Sequence, residues 1–572
     1  VAVTVQPLLP AKRRHLRSFQ RTAGLLGPLT AVLAVGLWLV VHPRTPDLAA
    51  QFYRTWIERR FGFSLFDSFW YDGHLLPGYS LLFMPLAAVF GLRPLAAAAA
   101  LGSTAIVAFT IRRVWQRPQP VAEVAFALAI AGDLWIGRLT YALGVTFALC
   151  GVAAALLGRG RLGEGAAFLA GLAAATTSPV AGLLVAAFGV GYPLSRVATA
   201  GRRGLPTRAE GRRWAFLCAG AVGGAFAIQM LFPEGGHEPF GLNSLLATVG
   251  TCAAVFVGAP PDWPELRFGA VAFALIALVS EIHTPMGSNV ERLGVITAAP
   301  LTALALFQRR AAPSKGPLAF RLPVPLARVA AVVALGASLS WVVFGPITQT
   351  LEVVGEPGVR AAFYRPLERF LAAHHPRPLR IEVPFTRAHW EAALLARTVP
   401  LAGGWERQLA KLYNRDLEFG LTQSRYRQWL DQNGVSYVAV PDLPLDPSAL
   451  LERRVIASNP RYLRLVADLP GWVVYKVFQP RPLIKGLGRA GHRAFVSVLG
   501  HTEVVVRVTA PGSYLLRLRY NPYLSAGPGV GLREGRDGFT VLSVRKRGRY
   551  TVVPTFSAAG AVAAVARFFS VL

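Results

Sequence analysis

Residues 43–94 hold the side chains whose types and spacing best suit chemistry. The run TPDLAAQFYRTWIERRFGFSLFDSFWYDGHLLPGYSLLF (Thr45 to Phe83) carries Asp47, Asp67 and Asp72 together with nine aromatic side chains between Phe52 and Tyr71, Tyr53 and Trp70 included, with His74 close behind. Aromatic rings stack on the apolar faces of sugars, and a carboxylate binds a hydroxyl or removes its proton. An aromatic belt at a membrane interface, with solvated carboxylates beside it, has the same composition. A second cluster is SEIHTPMGSNVERLG, which carries Glu281, His283, Asn289 and Arg292. An arginine at the mouth of a membrane cavity grips a phosphate with two parallel hydrogen bonds, which lysine does less well. Snorkelling, or pairing with Glu291, accounts equally for Arg292.

Other motifs carry less. Thr176, Thr177 and Ser178 before Pro179 read as turn and cap chemistry, and Pro233 to His237 reads as a turn. His374-His375 has no further His or Cys at ligand spacing. Trp405-Glu406-Arg407, near Tyr413 and Asn414, fits a carbohydrate-facing surface or plain packing. Cys150, Cys218 and Cys252 all lie in apolar runs and read as small core residues.

The elements that must position these residues follow from composition. The 572 residues are 53% hydrophobic and only 16% charged, with mean hydropathy +0.42. Soluble domains carry about 25% charged residues, so a soluble enzyme is excluded, and so is low-hydrophobicity disorder. A span needs about 20 mostly apolar residues. Such runs fall at about 23–41, 95–111, 121–136, 139–157, 165–179, 180–195, 214–232, 242–258, 268–283, 292–307 and 328–346. The first follows the basic stretch Lys12 to Arg21 and reads as an uncleaved helix with a cytoplasmic N-terminus.

Eleven crossings put residues 43–94 and everything after about 347 outside. Of the 29 Lys and Arg before Thr350, 22 then fall on cytoplasmic segments, as the positive-inside rule requires. The net charge of +30 is thereby a feature of membrane topology and needs no nucleic acid. Acids lean the other way, nine outward against five inward, which points to an outer-face site. Leu75 to Gly91 reads as a helix lying in or re-entering the outer membrane face.

The expected class is therefore a polytopic α-helical membrane protein of about 11 transmembrane helices with a C-terminal extracytoplasmic part. Its expected domains are 1–349, with the outer loop 43–94, then 350–488 as an α/β module and 489–572 as a small β-sandwich. Helical patterns cover 359–374, 389–397 and 421–433; strand-like runs cover 379–383, 435–440, 472–477, 494–498, 503–508, 514–520, 539–544 and 550–554.

A long first outer loop with an aspartate just past the first span, an aromatic stretch and a Pro-containing motif before an apolar helix resembles the GT-C superfamily, membrane glycosyltransferases that use polyprenyl-phosphate sugars. The resemblance implies Asp47 as the base, or as the binder of the acceptor hydroxyl, with Asp67 or Asp72 as second acid. The loop lacks an adjacent acidic pair or Asp-x-Asp, so neither the second acid nor a metal is fixed by it. HWEAALLARTVPLAGGWERQLAKLYN and WLDQNGVSYVAVPDLPLD are further similar to the outer domains of large bacterial, actinobacteria-like membrane proteins, some related to membrane 6-pyruvoyl-tetrahydropterin-synthase-like domains.

The implied activity is transfer of a sugar from a polyprenyl-phosphate donor to a cell-envelope glycan or lipid acceptor at the outer face of the plasma membrane. Tyr53, Trp70, His74, Glu281, His283, Asn289 and Arg292 are the expected substrate-binding residues. No cofactor is assigned, since the ligand spacing does not support a divalent metal. A transporter or flippase of a lipid-linked or polar substrate would instead show repeats and midplane acids; a non-catalytic envelope-assembly protein would need no aligned carboxylate.

Overall fold

The computed structural model describes residues 23–200, 206–281, 286–308, 317–374, 378–488, 493–535 and 537–571. His283, His375 and the basic stretch Lys12 to Arg21 lie outside these. In chain order the first helices are α1 (Leu26–Val41), α2 (Pro46–Phe61), α3 (Phe83–Phe90), α4 (Leu92–Trp115), α5 (Pro120–Ile136), α6 (Leu139–Leu157) and α7 (Gly160–Thr177). They are followed by α8 (Pro179–Ala200), α9 (Arg208–Leu231), α10 (Leu242–Gly258), α11 (Pro264–Ser280), α12 (Glu291–Phe307) and α13 (Val324–Val353).

Every apolar run chosen from the sequence carries a helix. Six of them (α4, α6, α8, α9, α13, and α12 with the 3-10 turn before it) are long and apolar enough to cross a membrane. A seventh is counted if Leu26–Val41 and Pro46–Phe61 form one broken span. The remaining helices on the expected runs, α1, α5, α7, α10 and α11, are 16 to 18 residues long. That falls at or below the usual length of a span, so among the described residues six of the expected eleven crossings meet this measure.

Contacts divide the chain into two compact units. The first gathers residues up to Pro43, 93–225 and 239–348; the second gathers 44–92, 226–238 and 349–572. In the first unit, helices uniformly rich in Ala and Gly approach closely, as lipid-embedded helices do when dispersion and small side chains drive their packing. Trp214, Leu217 and Ala221 of α9 pack with Ala167 and Ala174 of α7. A Cβ on Gly220 would stand 2.1 Å from the Phe168 carbonyl oxygen, so the α7–α9 contact requires glycine there.

The second unit contains α2, α3 and the two-stranded hairpin β1 (Phe66–Asp67) and β2 (His74–Leu75). Residues 75–91 do not form one helix: Leu75 pairs with Phe66, and only Phe83–Phe90 is helical. Beyond α13, a four-stranded mixed sheet has the order β3 (Arg380–Glu382), β4 (Val435–Pro441), β6 (Trp472–Val477), β5 (Leu463–Leu469). The β3–β4 pair is parallel, and the other pairs are antiparallel. Helices α14 (Ala361–His374), α15 (Arg407–Tyr413), α16 (Gln423–Asn433) and α17 (Leu450–Ala457) accompany it. Thr422 caps α16 by accepting from the Arg425 amide, and Gly434 ends it in the left-handed region.

Two antiparallel sheets follow. One has the order β12 (Val530–Glu534), β13 (Phe539–Val544), β10 (Gly512–Arg519), β7 (Ile484–Gly486); the other is β11 (Leu524–Ser525), β14 (Gly548–Pro554), β9 (Val504–Val508), β8 (Ala494–Leu499). Their inward residues, Tyr514, Leu516 and Leu542 from one and Val504, Val506 and Val552 from the other, share one core, which makes a β-sandwich. The last helix, α18 (Ala558–Val571), joins that core through Ala564.

Candidate active site

Pro46 opens α2 with its φ already set for a helix, and Asp47 sits in the first turn, where a carboxylate complements the helix dipole. Asp47 is half-buried, and its carbonyl oxygen accepts from Gln51 Nε2 at 3.2 Å. The peptide just before it is held from the C-terminal part of the second unit: Trp405 Nε1 donates to the Pro46 carbonyl at 2.9 Å. Trp390 Nε1 likewise donates to the Arg44 carbonyl at 2.8 Å, and Phe52 lies 5.3 Å from the Trp390 ring. Two turns along α2, buried Arg54 pairs with Glu406 and sits over the Trp70 and Tyr79 rings at 5.0 and 4.1 Å.

Asp67 occupies a different setting. It is fully buried and accepts from Tyr53 Oη at 2.9 Å and from the Phe69 amide at 3.3 Å, and it bonds His501 Nδ1 at 2.9 Å. Tyr53 stacks on Trp70 at 4.5 Å, and Trp70 stacks on His74 at 5.4 Å. Trp70 Nε1 is satisfied by the Ala392 carbonyl at 2.9 Å. Burial pushes the His74 imidazole down to about 3, so it is neutral at physiological pH and acts here as a flat apolar ring. Tyr53, Trp70, His74 and Asp67 are thus brought together, as a stacked interior.

Asp72 stands at the tip of the β1–β2 connection, where Tyr71, Asp72 and Gly73 all have positive φ. A Cβ on Gly73 would lie 2.1 Å from the Phe66 ring, so the turn closes only with glycine. The Asp72 carboxylate is fully buried, 2.7 Å from Arg380 Nη1 and 3.8 Å from Arg519 Nη2. Burial raises its pKa, against the pull of Arg380, Arg519 and Arg517. Arg380 also donates to the Asn433 and Arg517 carbonyls at 2.6 and 3.0 Å, so one guanidinium ties the loop to the mixed sheet and the sandwich.

Glu234, in the loop after α9, accepts from the Leu75 amide, and burial together with nearby Glu406 raises its pKa well above the carboxylate range. Spacing along the chain carries no trace of His501, Arg380, Arg519 or Glu406 as partners of the loop, because each lies hundreds of residues away.

In the first unit, Glu281 is exposed at the end of α11, and Asn289 is buried in the 3-10 turn Gly287–Val290. Arg292 begins α12 with its guanidinium 5.4 Å from the Tyr141 ring centroid. A separate cavity of about 660 Å³ in this unit is walled by apolar residues such as Phe188, Trp214, Trp263, Phe273 and Trp341, and none of the candidate residues lines it. Among the described residues no group of three or more His, Cys, Asp or Glu could hold a metal ion.

No protein-family model matches the chain, and no curated protein matches it in sequence. Among solved structures, the crystal structure of ArnT from Cupriavidus metallidurans bound to undecaprenyl phosphate is similar to this chain over 78% of its length and 97% of ArnT, at 13% sequence identity and a TM-score of 0.38. A likeness of that size leaves the functional reading to rest on the residues themselves.

Proposed function

We propose that this protein is a membrane glycosyltransferase that moves a sugar from a polyprenyl-phosphate carrier to an extracytoplasmic acceptor, with Asp47 as general base. The observation that carries the reading is the contrast among the three loop carboxylates. Asp67 and Asp72 are fully buried, whereas Asp47 is only partly buried, at the start of a helix beside aromatic side chains. In the reaction, the acceptor hydroxyl gives its proton to Asp47 as its oxygen bonds to the anomeric carbon. The bond from that carbon to the carrier phosphate breaks, and the phosphate leaves with the electron pair. Arg292, in the first unit, is a separate candidate for binding an anionic lipid phosphate, since a planar guanidinium suits that charge.

Asp47→Asn keeps the shape of the side chain and removes its basicity. It should lower turnover in a carrier-dependent transfer assay by roughly 10²-fold or more, with expression and membrane insertion unchanged. Full turnover in that variant would remove Asp47 from the chemistry. The 660 Å³ cavity favours a second reading, a transporter or flippase of a lipid-linked substrate. Substrate movement across proteoliposomes without any carrier-dependent transfer would select it.

A further inference from the structure

The Trp405 side chain is held as a fixed plate beside Asp47. Its ring edge is anchored by the 2.9 Å bond from Nε1 to the Pro46 carbonyl, the oxygen of the peptide that joins Pro46 to Asp47. One face of the ring is covered by the His389 imidazole, at a centroid distance of 3.4 Å and an interplanar angle of 7°. His389 is itself fixed: it is 1% exposed, has a left-handed φ of 56°, and lies 3.3 Å through Nε2 from the Asp446 carboxylate. Arg407 approaches the same carboxylate at 3.6 Å, and the Ser448 amide and hydroxyl donate to it at 2.8 and 2.5 Å. Those donors and His389 hold the Asp446 carboxyl well below its usual range, against the opposing effect of burial, so it stays charged and keeps its grip on the imidazole.

The His389 stack leaves part of Trp405 in contact with solvent. Among the described residues no ring besides His389 stacks on it and no guanidinium or ammonium lies over it, and the side chain remains partly exposed. Here one face is braced by a stacked, charge-anchored imidazole and the edge is tied to the backbone next to a half-buried carboxylate.

We propose that Trp405 is the sugar-stacking platform of the Asp47 site, taking the apolar face of a hexose or pentose ring, with His389 and Asp446 as its rigid backing. This rests on the reading of Asp47 as the base. A rigid aromatic plate costs little ordering entropy on binding and gains from C–H contacts with a sugar face. Its position next to the Pro46–Asp47 peptide places a stacked sugar within the neighbourhood of the carboxylate without spending that carboxylate on binding.

The test uses the purified full-length protein in lipid nanodiscs and a panel of methyl hexosides and pentosides at millimolar concentration, read by saturation-transfer NMR. Wild type should bind at least one glycoside. Trp405→Ala should weaken that binding about tenfold, the scale of one lost ring contact. Trp405→Phe keeps a ring and loses the N–H, so it should fall between the two. In the carrier-dependent transfer assay Trp405→Ala should raise KM for the sugar-bearing substrate about tenfold more than it lowers kcat, whereas Asp47→Asn should lower kcat and leave glycoside binding in place. If no glycoside binds to wild type, or if Trp405→Ala binds as wild type does with KM unchanged, the platform is overturned even where Asp47 governs transfer. Trp405-dependent glycoside binding without any transfer would keep the platform and remove the transferase reading.

Discussion

At the scale of single residues, three aspartates of one loop carry three different physical states. Asp47 is half-buried, Asp67 has its oxygens taken by a tyrosine, a histidine and an amide, and Asp72 is a buried carboxyl against Arg380. A buried pair gains little over an apolar replacement of both partners, but removal of one partner strands the other charge. Asp72→Ala should therefore cost about 3–5 kcal/mol of stability and appear as a large drop in the melting temperature followed by tryptophan fluorescence. Asp47→Asn, at a half-exposed helix start, should leave that temperature nearly unchanged. Equal melting of Asp72→Ala and wild type would mean that Arg380 holds the loop in some other way. Composition identified all three aspartates as candidates. It could not separate them, because the partners that bury Asp67 and Asp72 come from His501, Arg380 and Arg519, and no local pattern encodes those meetings.

At the scale of elements, the mixed sheet contains a pair of acids whose charge works against folding. Glu382 of β3 and Glu452 of α17 are both buried, and Tyr426 of α16 donates to Glu452 Oε1 at 2.6 Å. Burial pushes the Glu452 carboxyl up to about 7, and burial with the nearby Glu452 raises Glu382 well above its usual range. Between the unfolded and folded pKa the native state binds more protons, so this contribution to stability is full below about pH 4.5 and is lost as pH rises through 7. The second unit should melt at a lower temperature at pH 8 than at pH 5. Glu452→Gln should flatten that dependence and raise stability at pH 8 by roughly 1–3 kcal/mol. A wild-type melting temperature that rises over this range, with Glu452→Gln following it in parallel, would refute the account. The elements themselves were widely legible. Period-2 alternation located β9, β10 and β13, and apolar runs located the helices from α4 to α13. The helix α2 escaped notice because its apolar positions are aromatic residues interleaved with Gln51, Arg54 and Glu58, which read as a loop suited to sugars. Strand β5 escaped because most of its residues are solvent-facing, so it lacks a buried face to alternate.

At the scale of the whole molecule, each compact unit is assembled from separated stretches, and that assembly constrains the topology. Segments 44–92, 226–238 and 349–572 form one compact body, so they must emerge on one side of any membrane the helices cross. Between the first two segments lie α4 to α9, and between the last two lie α10 to α13. If all of these cross, the counts are six and four. If only those meeting the span criterion cross, the counts are four and two. Both are even, so the three segments share a side whichever count is right. The opposite side then receives the connection between α8 and α9 and the one between α12 and α13. These two, with the adjoining helix turns, carry Arg202, Arg203, Arg208, Arg212, Arg213, Arg309, Arg310, Lys315 and Arg321. Lys and Arg collect on the cytoplasmic side, so the expected topology has the second unit, Asp47 and Trp405 included, outside. In a background lacking native cysteines, Ser424→Cys should react with a membrane-impermeant maleimide in intact cells, and Thr207→Cys should react only after the membrane is opened. Labelling of Thr207→Cys in intact cells with protection of Ser424→Cys would invert the topology, place Asp47 inside, and remove the extracytoplasmic acceptor from the proposed reaction.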